Sequence, residues 1–214
     1  MTNPELERRT LTAQMELRDG AEDGGTPTIT GYALKFNKPS EVLGGFVAFR
    51  EIIKPGALAT ADMTNVVATI NHDQNQVLGR SGINLDLAVD EIGLRFTVQP
   101  TDTSFAKDLI ANMQAGVINQ CSFAFTIPAN DEAQDWEESD EDGVDYVRSI
   151  NQIDHLYDVS IVTTPAYPST EAQVGERSLA MVKESRRALH QAEVDTEIKQ
   201  MRRELDRQEL LKSL

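Results

Sequence analysis

Between residues 28 and 163 the apolar side chains mostly recur at every second position, in short runs separated by turn residues. This rhythm constrains the chain more than any other feature. Leu85, Leu87 and Val89 alternate with polar neighbours, as do Leu94, Phe96 and Val98, with Asp90-Glu91 between the two runs. Period two marks a strand with one buried face, so the pair predicts a hairpin over 83–88 and 92–99. Residues 28–36, TITGYALKF, are rich in strand formers, with Gly31 as a bulge or twist point. Phe46–Ile53, Asn65–Ile70, Val117–Ile127, Val144–Ile150 and Leu156–Thr163 read as further strands, and Pro165–Pro168 as a turn after the last. One segment changes period. Phe105, Leu109, Ile110 and Met113 fall at helical spacing, Thr101, Asp102 and Thr103 are candidate N-caps, and Gly116 supplies a stop. The pattern predicts an α+β fold with a strand-dominated, barrel-like body and helical packing against it.

The ends are different material. Residues 1–20 carry mixed charge with little periodicity and read as a loose lead-in, with an edge strand at Leu11–Leu17. Residues 21–174 form the body. It carries an acidic insertion at about 129–146, read as a loop between strands, with nine acidic residues and no basic one from Asp131 to Asp145. Residues 175–214 are a charged helical tail: Val194, Ile198, Met201 and Leu205 step by four, three and four, and no Gly or Pro follows Gly175. A length of 214 residues fits one domain with such appendages. The net charge of -15 argues against a protein that grips nucleic acid through a basic face. The single cysteine, Cys121, excludes an internal disulfide framework and a cysteine zinc cluster. No apolar run is long enough for a membrane span and the start is polar, so the expectation is a soluble protein of a reducing compartment.

Three histidines can be weighed for chemistry. His190 lies in the charged tail and reads as part of a solvated helix face. His72, in NHDQ, follows the apolar run VVATI, a strand end that would present a base on a rigid support. Its plainer reading is a turn histidine bonded to Asp73. His155 lies near a strand start. In NQCSFAFTI, residues 119–127, strand parity places Cys121, Phe123 and Phe125 on one face and Ser122, Ala124 and Thr126 on the other. The phenylalanines seek the core and take Cys121 with them, so Ser122 turns outward, toward a cleft. A serine hydroxyl needs a base to activate it, and the base needs a group that fixes its tautomer. Ser122 and His72 can supply the first two. Asp154, His155 and Asp158 are open for the third, with Asp73 weaker because neighbouring side chains rarely aim at each other.

Taken together, seven blocks across residues 5–171 resemble the prohead maturation proteases of tailed bacteriophages, a family similar in fold and catalytic layout to the herpesvirus assemblins. The blocks are ELERR, ITGYALKFN, FREIIKPGAL, INHDQNQVLGRS, LAVDEIGLRF, PTDTSFAKDLIANMQAGVINQCSFAF and LYDVSIVTTPAYPST, in the family's order. The resemblance implies an assemblin-like body with His72 as general base and Ser122 as nucleophile. It matches the third member to Asp158, with His155 (the assemblins use a second histidine) and Asp154 as alternatives. It also implies a serine endopeptidase that trims the scaffolding segment of the major capsid protein, and commonly itself, inside the immature shell in the host cytoplasm. No cofactor, metal, membrane or specific nucleic acid is called for. Self-association within the shell is expected, and the tail fits a removable packaging element. Two departures stand out: Cys121 beside the serine, which leaves a cysteine peptidase as a rival reading, and the acidic insertion. A catalytically silent assembly factor of the same fold is the competing class. Backbone amides near Thr163–Ala166 are the expected oxyanion donors.

Overall fold

The computed structural model describes residues 6–12, 15–18, 27–44, 47–163 and, beyond them, 179–180, 183–184, 187, 191, 194–196 and 198–202. The chain divides into two units, residues 1–175 and 176–214. The described residues of the second unit are helical. The stripe residues Ile198 and Met201 are exposed there, while Leu205 and His190 lie outside the described residues, as does the Pro165–Pro168 turn.

The first unit runs β1 (Glu7–Thr12), β2 (Glu16–Arg18), β3 (Thr28–Lys35), β4 (Leu43–Gly44), β5 (Ala48–Ile53), β6 (Val67–Ile70), β7 (Asp73–Arg80), β8 (Leu85–Val89), β9 (Gly93–Val98), α1 (Ser104–Gln114), β10 (Gln120–Thr126), β11 (Gln134–Glu138), β12 (Tyr146–Ile150) and β13 (His155–Val162). The strands form three sheets, ordered β1-β10-β13-β6-β7, β11-β12-β5-β4 and β2-β3-β9-β8. The body is thus strand-dominated, as the alternation predicts. The β8–β9 hairpin forms where expected. Helix α1 starts on the Thr103 side chain, which accepts the Ala106 N–H, and Gly116 follows it at φ 72°. That left-handed value suits glycine. The helix packs Ala106, Leu109 and Ile110 into a core shared with Ile29, Leu34, Phe96, Val98, Phe125 and Ile161.

Four local expectations change. The lead-in is not loose: β1 pairs antiparallel with β10, and Glu7 and Arg9 are buried. The acidic insertion is not only loop, because β11 lies within it and pairs with β12, with Trp136 buried against Phe49. The polar segment after His72 is a strand, β7, antiparallel to β6. The register irregularity of β3 falls between Tyr32 and Leu34 and not at Gly31. Gly31 sits in a tight place, since a Cβ there would lie 3.0 Å from Met15 Cγ and 3.2 Å from Phe96 Cε1 and those side chains would have to give by a few tenths of an ångström.

Candidate active site

The five-stranded sheet has one face turned to the core and one face that carries polar side chains. Arg9, Phe123, Val159 and Ala68 align in successive register on the first, and Phe123, Val159 and Ala68 belong to the core. Directly paired residues share a face, so the neighbouring registers define two rows on the other. One row is Thr10, Ser122, Ser160 and Thr69, four hydroxyl side chains on four adjacent strands. The next is Arg8, Ala124, Asp158, Val67 and Arg80. Strand parity alone therefore brings Ser122 and Asp158 to one face, on neighbouring strands.

His72 reaches that face from the β6–β7 turn. Ile70 pairs with Asp73, which leaves Asn71-His72 as a two-residue hairpin loop. Their φ values are 52° and 58°. Positive φ at both loop positions is what a type I′ turn demands, and it is a region that side-chain-bearing residues enter at a cost of about 1–3 kcal/mol each. The turn is held by its neighbours. The Asn71 N–H donates to the Ile161 carbonyl at 3.0 Å, and the His72 N–H donates to Ser160 Oγ at 2.8 Å. Asn71 Oδ1 accepts the Thr163 N–H at 3.0 Å and the Thr163 hydroxyl at 3.3 Å.

From this turn the imidazole lies between two partners. Its Nδ1 is 2.8 Å from Asp158 Oδ1 and its Nε2 is 2.8 Å from Ser122 Oγ. An ionised carboxylate only accepts hydrogen bonds, so the Nδ1 edge carries the proton and Nε2 is free to accept the Ser122 hydroxyl. This arrangement can draw a proton from Ser122 and hold the resulting imidazolium against Asp158. Ser122 is fully buried and the His72 side chain is 12% exposed. The expectation that Ser122 turns outward into a cleft is thereby corrected: it lies on the face opposite the phenylalanines, but it is fully buried there, with the His72 ring against its hydroxyl. An open cleft of about 500 Å³ lies alongside, lined by Arg8, Val67, Arg80, Thr126, Tyr157 and Asp158 among others. Thr126 borders it, and its buried hydroxyl has no hydrogen-bond partner among the described residues.

The other candidates fall elsewhere. His155 starts β13 with its Nε2 3.1 Å from Asp62 Oδ2 and its Nδ1 3.2 Å from Asp154 Oδ2, and its ring stacks on Tyr157. Asp154 and His155 thus pair with each other and not with His72. Asp73 accepts hydrogen bonds from Asn75 and Gln76, and the Asn75 backbone N–H leads in holding its carboxyl below the usual range. Cys121 is a core residue whose sulfur faces the Ser122 carbonyl at 3.7 Å. Burial, and after it the nearby Asp158 charge, pushes its thiol pKa far up, so it holds its proton. The Thr163 amide is committed to Asn71, which removes it as an oxyanion donor, and residues 164–166 lie outside the described residues. Ser160 and Thr69 are absent from the sequence-level candidates. The signal for Ser160 was parity: it stands two residues after Asp158 and so shares its face. Among the described residues no three His, Cys, Asp or Glu side chains come together as a metal site.

Known proteins resemble this chain in fold and in sequence. The bacteriophage T4 capsid assembly protease, gp21, has a similar fold, with a TM-score of 0.52 and 15% identity over 77% of this chain and 100% of that one. No curated protein matches the chain. The profile of the caudovirus prohead serine proteases matches residues 13–185. The chain belongs to that family of serine proteases.

Proposed function

We propose that Ser122, His72 and Asp158 form a catalytic triad, and that the protein cleaves the scaffolding segment of the phage major capsid protein, and itself, during prohead maturation. The observation that carries this reading is the continuous Asp158–His72–Ser122 chain, with both links at 2.8 Å. Ser122 Oγ attacks the scissile carbonyl as His72 Nε2 takes its proton. The imidazolium is stabilised by Asp158 and then protonates the leaving amine. Water attacks the acyl-enzyme by the same route, giving its proton to His72 and restoring the Ser122 hydroxyl. The cleft beside Asp158 is where the polypeptide lies. Because Ser122 has no exposure of its own, seating the substrate has to uncover it. The work takes place inside the immature capsid within the host cell, where copies of the protease are concentrated together.

Steady-state cleavage of the capsid protein by purified Ser122→Ala and His72→Ala tests the triad. Each variant should lose at least about 10⁴-fold in kcat, and the two together should lose little more than either alone, as residues acting as a unit do. Cleavage by Ser122→Ala at the wild-type rate would sink the assignment. A wild type that also fails to cut, alone and with capsid protein, would favour a silent assembly factor.

A further inference from the structure

The established family membership says nothing about what holds the base in place. We infer that Ser160 is a positioning residue for His72, an assignment that rests on the triad reading. The argument begins with the turn. In a two-residue hairpin loop the closing pair, here Ile70 and Asp73, takes up the ladder hydrogen bonds. The N–H of the second loop residue, His72, has no ladder partner. A backbone N–H held away from water without a partner is costly. Ser160 Oγ accepts it at 2.8 Å.

A serine oxygen has one proton to give and two lone pairs to fill. All three are used here. Ser160 Oγ accepts the His72 N–H and the Thr69 hydroxyl, the latter at 3.1 Å, and donates to the Thr69 carbonyl at 3.3 Å. Thr69 and Ser160 are both fully buried, so the hydroxyl has no water to exchange with and a single orientation to adopt. Its lone pair therefore points at the His72 amide.

The placement on β13 matters as much as the bond. Asp158 and Ser160 are two residues apart on one strand and face the same side. Asp158 grips the His72 ring at Nδ1, and Ser160 grips the residue at its backbone. One rigid strand thus fixes the residue at both ring and backbone. Ser160 is also the cross-strand partner of Ser122, so the same register that places the base places the nucleophile. With the Nδ1 link alone, the turn could shift and carry Nε2 off the 2.8 Å line to Ser122 Oγ. A misplacement of about 1 Å can cost about 10²-fold in rate.

The test is kinetic, on the full chain with the capsid protein as substrate, with Ser122→Ala run in parallel. Ser160→Ala should stay folded, keep KM within about two-fold and lose kcat by about 10–100-fold. Thr69→Val removes the hydroxyl that donates to Ser160 Oγ but keeps the carbonyl that Ser160 donates to, so Ser160 is less firmly held and the loss in the same parameter should be smaller. This second variant also covers the case in which Ser160→Ala does not fold. A Ser160→Ala protein with wild-type kcat would overturn the inference, as would a loss that tracks only the unfolded fraction. So would a Thr69→Val protein indistinguishable from wild type where Ser160→Ala cannot be measured. If Ser122→Ala is inactive while Ser160→Ala is fully active, the positioning role alone fails. If Ser122→Ala itself is active, the triad reading fails first.

Discussion

His72 occupies a backbone position that glycine or asparagine would take at lower cost, with φ 58° in the second place of a tight turn. The strain is retained because only there can the ring reach both Asp158 and Ser122. Asp158→Asn should therefore leave the fold intact and lower kcat by about 10³–10⁴-fold, because an amide in that place can stabilise the wrong tautomer. Near wild-type turnover by that variant would contradict the role given to Asp158. Cys121→Ala should keep kcat within about two-fold, since the buried thiol stays protonated and lies on the core face. Loss of activity with Ser122 intact would move the chemistry to sulfur. At this scale strand parity gave Ser122 its face and a strand end gave His72 its support, while the roles proposed for both came from the family resemblance of their blocks. Choosing Asp158 over Asp154 and His155 was not legible from spacing. It depends on a register in which Asp158 opposes Ala124 while His155 opposes Thr126 beyond a bulge.

The elements are tied together by charges that a sequence reading places outside. Glu7 and Arg9 of β1, Glu51 of β5 and Arg148 of β12 form a buried cluster. Arg148 bonds Glu7 at 2.6 Å and Glu51 at 2.8 Å, and Arg9 bonds Glu7 at 2.5 Å and Glu51 at 2.8 Å. The Arg148 guanidinium also lies over the Trp136 ring and donates to Gln134. This cluster joins the sheet that carries Ser122 to the β11-β12-β5-β4 sheet. It explains why β1 was unreadable: its inward residues are Glu and Arg, so the usual alternation is inverted. Strand β11 was hidden in the same way, by acids on either side of one buried Trp136. Burial works to raise the pKa of Glu7, but Arg148 and Arg9 outweigh it and bring it down to about 2. A carboxyl depressed in the folded state adds stability above its ordinary pKa near 4.5 and loses that contribution as pH falls toward 2. Glu7→Gln should lower stability near neutral pH by about 3–5 kcal/mol, by leaving two buried arginines short of a partner. Its melting temperature should also fall less steeply than wild type between pH 4.5 and 2. Parallel curves for the two proteins across that window would rule out the assignment.

At the scale of the whole molecule, the excess negative charge and the division at residue 175 belong together. The second unit, residues 176–214, holds eight acidic and nine basic side chains, so all of the excess negative charge resides in the first. The alternation of the body was legible because antiparallel strands with one buried face write their period directly into the sequence. The grouping into three sheets, with parallel β13–β6 and β12–β5 pairs, was not, because long-range pairing leaves no local mark. We take the tail as a packaging element that is later removed. Truncation after Arg177 should preserve peptidase activity and abolish incorporation into proheads, and normal incorporation of the truncated chain would exclude that role. The most direct test of the central claim is intact mass spectrometry of wild type and Ser122→Ala after several hours at high concentration, alone and with the capsid protein. The account predicts defined losses from the wild-type chain and from the capsid protein, with the Ser122→Ala samples whole. Identical trimming by wild type and Ser122→Ala would contradict it.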